Sequence, residues 1–113
     1  MVRALVAIAA VFVLSACAAQ SDEQVSRQAL AEDGRAIAEA QCAACHSVGE
    51  YGASPNPAAP PLRHVLADHS GEVLAEELIQ GIQVAHPMPD FQFNPQGVDA
   101  LIVYLQSIQT PPQ

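Results

Sequence analysis

The chain has no lysine and no tryptophan, and only four arginines stand against twelve Asp and Glu. A formal net charge of −8 over 113 residues leaves no basic patch for a phosphate backbone, which excludes nucleic acid as a partner. Electrostatic adsorption to anionic lipid is excluded on the same ground. An acidic surface suits a partner protein with a basic docking face, where charge chiefly sets the encounter rate. Solubility alone would account for the charge equally well. Aromatic residues are also scarce, with three Phe and two Tyr. So short a chain buries a small fraction of its surface, and a core this poor in aromatics leaves room for an added stabiliser. No alternating polar–apolar run and no internal repeat is present, so the chain reads as one small all-α domain.

Cysteine is scarce as well, and the three present are unevenly placed: Cys17, Cys42 and Cys45. Residues 1–16 have the pattern of an export signal. Arg3 supplies positive charge, Ala4 to Leu14 is a continuous apolar run, and small residues follow. The run is shorter than the roughly 20 residues that span a bilayer. Its end, Leu14-Ser15-Ala16-Cys17, resembles the bacterial lipoprotein box, in which the cysteine is diacylated and becomes the new N-terminus. The alternative is an ordinary cleaved signal that leaves Cys17 as a free thiol, a liability in an oxidising compartment. Acyl chains on Cys17 would make a stable membrane anchor. Residues 17–26 then form the lipidated cysteine and a polar tether, and residues 27–113 the folded domain. The expected address is the bacterial cell envelope, facing the periplasm and anchored to the inner or the outer membrane. Ala18 after the cysteine, rather than Asp, leaves the outer membrane open.

Cys42-Ala43-Ala44-Cys45-His46 has the spacing of a covalent c-type haem attachment site. Two thiols one helical turn apart can form thioethers with the two haem vinyl groups, and the adjacent His46 can reach the iron as proximal ligand. A zinc site would need further ligands at metal spacing, and the other histidines lack it. A redox dithiol of the thioredoxin type would need a βαβ context, which is absent.

Around this motif the chain reads as helices and loops. A helix is expected from about Arg27 to Ala44, with Leu30, Ile37 and Ala38 near one face. Gly34 inside it costs roughly 1 kcal/mol relative to Ala, acceptable where a second helix passes close; otherwise the helix starts only after Gly34. Val48 to Pro61 holds two Gly and four Pro and reads as loop. Leu62 to Asp68 suits a short helix. Ser70 can cap a helix over Gly71–Gln80, with Val73, Leu74, Leu78 and Ile79 inward and Gly81 as its stop. Ile82 to Phe93 is irregular. Asn94-Pro95 opens a last helix whose stripe is Val98, Leu101, Ile102, Leu105 and Ile108, ended by Thr110-Pro111-Pro112.

The second axial position on the iron decides what such a site does. Met88 stands in the irregular stretch between Pro87 and Pro89, which would stiffen the loop that presents its thioether. A core-filling side chain is the competing role for Met88. His86, His64 and His69 are the competing ligands, His86 by proximity, the other two placed in or beside helical stretches.

Together these residues resemble class I cytochrome c, from about Gly34 to Ile108. CAACH matches that family's haem site, Pro60-Pro61-Leu62 its Pro-x-Leu element, and His86-Pro87-Met88-Pro89-Asp90-Phe91 its methionine-ligand loop. Gly34 and Tyr104 match the glycine and the aromatic residue where its N- and C-terminal helices cross. The resemblance implies loops wrapping one covalent haem c, with Cys42 and Cys45 as thioether links and His46 and Met88 as axial ligands. It also implies that the carbonyl of Pro60, or of Pro61, accepts a hydrogen bond from His46. Haem attachment in this family takes place outside the cytoplasm, in keeping with an export signal. Two features depart from the pattern. The family's lysine ring around the haem edge has no counterpart, and Gly97 stands where a helix-favouring acid is usual.

The expected function is one-electron transfer between redox partner proteins by a membrane-tethered carrier, not an enzyme. The alternative is a haem enzyme or small-ligand sensor, with the sixth ligand absent or displaceable.

Overall fold

The structure, a computed structural model, describes residues 2–82, 88, 89, 91 and 93–110, of which 2–20 as backbone only. Its elements are α1 (Val2–Gln41), a 3₁₀ turn (Leu62–His64) running into α2 (Val65–Asp68), α3 (Gly71–Gln80) and α4 (Pro95–Ile108). Among the described residues there is no strand, in keeping with the all-α expectation.

The first helix is longer than expected. It begins at Val2 instead of near Arg27, runs unbroken through Gly34, and stops at Gln41 instead of Ala44. The physical reason lies in composition: residues 2–33 contain neither Gly nor Pro, and Ala recurs throughout. The stretch expected as a tether is therefore helical, yet residues 21–29 are all exposed. Packing starts at Leu30, and Ala38 is fully buried. The described residues include no helix long and apolar enough to cross a membrane.

The core is built where α1 meets α4. Val98, Leu101, Leu105 and Ile108 are buried as their spacing predicts, joined by Ala100 and Tyr104. Ile102 is half-buried and faces Gly71 of α3 instead. So α4 is covered on two sides, and its buried face is wider than a single stripe. A Cβ built on Gly34 would overlap the carbonyl oxygen of Ala100 and lie 2.8 Å from Tyr104 Cβ. The glycine is thus the close-approach point of the two helices. Tyr104 then reaches beyond the crossing, and its hydroxyl donates to the Val48 carbonyl at 2.7 Å. Gly97, the departure noted above, leaves space for Ile37: a Cβ there would lie 3.5 Å from Ile37 Cδ1 and 3.2 Å from Asn94 Oδ1.

The other helices are capped as read. Asn94 Oδ1 accepts from Gly97 N at 2.8 Å and Ser70 Oγ from Val73 N at 3.3 Å. Gly81 follows α3 with φ +97°. The inward face of α3 differs from expectation. Leu74 and Ala75 are half-buried and Leu78 is buried, while Val73 and Ile79 are about half exposed. At 100° per residue, Val73 and Ile79 fall on opposite flanks of the Leu74–Leu78 ridge, so one groove cannot cover all four.

Candidate haem site

The motif Cys42–His46 follows α1 as one further turn. Cys42 N donates to Ala38 O at 2.9 Å, and His46 N to Cys42 O at 2.9 Å. This turn keeps Cys42, Cys45 and His46 on one wall of a cavity of about 310 Å³. Such a volume is in the range of ligand sites. Leu62, Leu78, Leu101 and Leu105, all buried, form its apolar lining, and Met88, Pro89 and Phe91 close another part of it.

His46 is held from behind. Its Nδ1 donates to the Pro60 carbonyl at 2.7 Å. Donation from Nδ1 puts the free lone pair of the neutral ring on Nε2. The neighbouring Pro61 carbonyl accepts from His64 N at 3.0 Å, opening the 3₁₀ turn. Of the two prolines, Pro60 is therefore the partner of His46.

The loop carrying Pro60 is fixed by backbone bonds to the motif. Asn56 N donates to Cys45 O at 3.1 Å and Leu62 N to Ser47 O at 2.9 Å. Ser47, buried, uses its own N–H on Ser54 Oγ at 3.0 Å. The high proline and glycine content seen in the sequence thus gives a loop locked to the cysteine–histidine turn at several points.

Cys42 is half-buried and Cys45 exposed. Burial pushes the Cys42 thiol up to about 11. A reactive dithiol needs the opposite shift. No group of three or more His, Cys, Asp or Glu suited to a metal ion exists among the described residues.

Of the competing ligands, His64 is turned toward the chain end, with Nδ1 3.1 Å from the Thr110 carbonyl, and does not line the cavity. His69, exposed, does line it. So does Glu77, the one carboxylate among the described residues of its wall. The sequence reading named His69 as a competing ligand and missed Glu77. The available signal was their position: His69 precedes the cap of α3, and Glu77 neighbours Leu78 on the inward side. His86 lies outside the described residues, as do Pro87 and Asp90. Cys17 lies in the part of α1 described as backbone only.

The residues fit a haem. An apolar cavity holds the two thiols, a histidine whose free lone pair is defined by its carbonyl partner, and one thioether. Residues 31–109 match the model of the family described as cytochrome c. No curated protein and no solved structure matches the chain. The matched stretch runs from the buried part of α1 to the end of α4 and takes in the whole cavity. The chain belongs to the cytochrome c family, haem-binding electron carriers whose covalent c-type haem takes a pair of thiols such as Cys42 and Cys45.

Proposed function

We propose that this protein carries single electrons on a haem held between His46 and Met88, and that Cys17 tethers it by lipid to a membrane of the bacterial envelope. The observation that carries the first part is the 2.7 Å bond from His46 Nδ1 to Pro60 O beside a cavity shared with Met88, Cys42 and Cys45.

Bound haem supplies a metal that takes up and releases one electron at a time. The chain's residues do the rest. Cys42 and Cys45 would hold the haem as thioethers, each S–H adding across a vinyl double bond, sulfur to one carbon and hydrogen to the other. Pro60 fixes the tautomer and orientation of His46 and raises its basicity as a ligand. The thioether of Met88, beside Pro89 with its fixed φ, gives a higher reduction potential than a second histidine would. Leu78, Leu101 and Leu105, all buried, give the cavity an apolar wall. With His46 and Met88 both holding the iron, no substrate would need to bind and electron transfer would require little rearrangement of the site.

The visible spectrum tests this reading. Sharp reduced bands of a low-spin c-type haem are expected, with a weak far-red band in the oxidised protein from sulfur ligation. Met88→Ala should abolish the far-red band, and His69→Ala should leave it. Survival of the band in Met88→Ala would overturn the ligand assignment. Rapid binding of cyanide by the oxidised wild type at neutral pH would favour the sensor or enzyme reading.

The tether is supported by the Leu14-Ser15-Ala16-Cys17 sequence after an apolar run. The mature protein extracted from membranes should carry the mass of acyl chains on Cys17, and Cys17→Ser should release it to the soluble fraction. A wild-type protein already soluble and unacylated would refute the anchor.

A further inference from the structure

Arg63 is the only Lys or Arg after Arg35, in a stretch otherwise rich in Asp and Glu. It is half-buried, on the 3₁₀ turn that follows Pro60 and Pro61. Its Nη1 donates to Ser47 Oγ at 3.2 Å. Ser47 in turn donates its hydroxyl proton to the Tyr51 carbonyl at 3.1 Å, which leaves an oxygen lone pair facing the guanidinium. Ser47 is 8% exposed and is the residue next to His46. The arginine's own carbonyl is engaged by Thr110 N at 3.0 Å, so its backbone is fixed as well.

No carboxylate among the described residues pairs with Arg63. Among the described residues the one ion pair is Arg35–Glu39 at 2.8 Å, exposed on α1. Arg63 meets a neutral hydroxyl instead. A half-buried cation whose partner among the described residues is a neutral hydroxyl keeps more of its field than a paired or fully solvated one. This charge is hydrogen-bonded to Ser47, the residue that follows the cavity-lining His46.

We propose that Arg63 is a fixed positive charge behind His46 that favours the reduced state of the haem and so raises its reduction potential. The proposal rests on His46 ligation, as set out above. Reduction adds one negative charge at the metal, so a nearby fixed cation stabilises the reduced form more than the oxidised one. Ser47 acts as the positioning residue that keeps the guanidinium there.

The test is a spectroelectrochemical titration of the haem-loaded wild type, Arg63→Gln, Arg63→Lys and Arg35→Gln, each with its far-red spectrum and thermal unfolding curve. At one applied potential near the wild-type midpoint, Arg63→Gln should lower the ratio of reduced to oxidised protein on the order of threefold to tenfold. Arg63→Lys, which keeps the charge, should stay within about twofold of wild type. Arg35→Gln should change little, and that change should vanish in salt. An unchanged or raised potential in Arg63→Gln overturns the proposal. So does a fall in Arg63→Lys equal to that in Arg63→Gln, which would make the guanidinium a brace and not a charge. Should Arg63→Gln fail to fold, Ser47→Ala decides: freeing the guanidinium should lower the ratio in the same direction but by less, and no shift there refutes the idea. A wild type without the far-red band would sink the His46/Met88 reading, while the comparison of potentials judges Arg63 separately.

Discussion

Gly34 in α1 lies against Ala100 in α4 so closely that any Cβ at position 34 would enter the space of the Ala100 carbonyl. Two effects of Gly34→Ala therefore oppose each other. Helix propensity alone favours Ala by roughly 1 kcal/mol. Steric overlap with backbone, which cannot rotate away, forces the helices apart and loosens the buried contacts of Ala38, Val98 and Leu101. Overpacking of this kind costs about 1–3 kcal/mol or more. The overlap should win, and denaturant unfolding of Gly34→Ala should show a net loss of about 2 kcal/mol. A gain in stability would mean that the two helices do not meet at this residue.

Tyr104 extends the same crossing to the loop behind the haem cavity. Removing its hydroxyl in Tyr104→Phe leaves the Val48 carbonyl without its 2.7 Å donor. The expected cost is about 1–2 kcal/mol. The pH dependence supplies a second signature. Burial, outweighing the opposing effect of Arg35, raises the phenol's pKa in the folded state. A raised acid gives stability that is fully present below the unfolded value, about 10 for tyrosine, and is lost as pH rises through the folded value. Tyr104→Phe should lack that alkaline loss. Unfolding curves of the two proteins between neutral pH and pH 11 should therefore converge as pH rises.

How far this was legible in the sequence depended on the range of the interaction. Asn94, Pro95 and the α4 stripe are local signals, and the helix begins and buries its face as they indicate. Gly34 and Tyr104 were paired through resemblance to a family, and the structure supplies the contact. The inward face of α3 was not legible. Val73, Leu74, Leu78 and Ile79 spread over too wide an arc, and only packing against α4 and the cavity selects Leu74 and Leu78. Pro60 and Pro61 present identical carbonyls in sequence. The choice between them is made by the turn at Leu62–His64, which occupies the Pro61 oxygen. His69 and Glu77 reach the cavity through the placement of α3, and their positions beside the Ser70 cap and Leu78 are the local sign of it.

The caps differ in quality, and the difference is measurable. Asn94 Oδ1 holds Gly97 N at 2.8 Å, at the start of the helix that carries most of the core. Ser70 Oγ holds Val73 N at 3.3 Å on the more exposed α3. Asn94→Ala should cost about 1 kcal/mol of stability, and Ser70→Ala about half as much. Equal losses would show that cap geometry does not set the scale here.

Cys42 offers a check on attachment. In the unloaded protein its thiol, raised by burial to about 11, should resist iodoacetamide at pH 8.5 while the exposed Cys45 reacts. The raised value also means that this thiol favours folding below its ordinary value and that the contribution is lost as pH climbs toward 11. Thioether formation removes the titrating group. The haem-loaded protein should therefore show no thiolate absorbance rising between pH 9 and 11 and no alkylation at either cysteine. In loaded protein carrying Cys17→Ser, a thiol that titrates would point to a single thioether link.

The exposed stretch of α1 allows the domain boundary to be tested directly. Residues 21–29 are exposed, burial begins at Leu30, and the family match begins at residue 31. Arg27 makes one long contact to α4, Nη2 to Gln106 Oε1 at 3.4 Å. Most helix stability in a protein comes from the packed face, so a helix shortened on its unpacked side should lose little beyond fraying of a new first turn. A chain starting at Ser26, exported behind a separate cleavable signal, should load haem and keep the wild-type spectrum. Its unfolding free energy should lie within about 0.5 kcal/mol of the longer chain. A loss of about 2 kcal/mol would make the exposed half of α1 part of the folded unit. The expected small loss would instead leave it as a spacer, able to vary in length without disturbing the bond between His46 and Pro60.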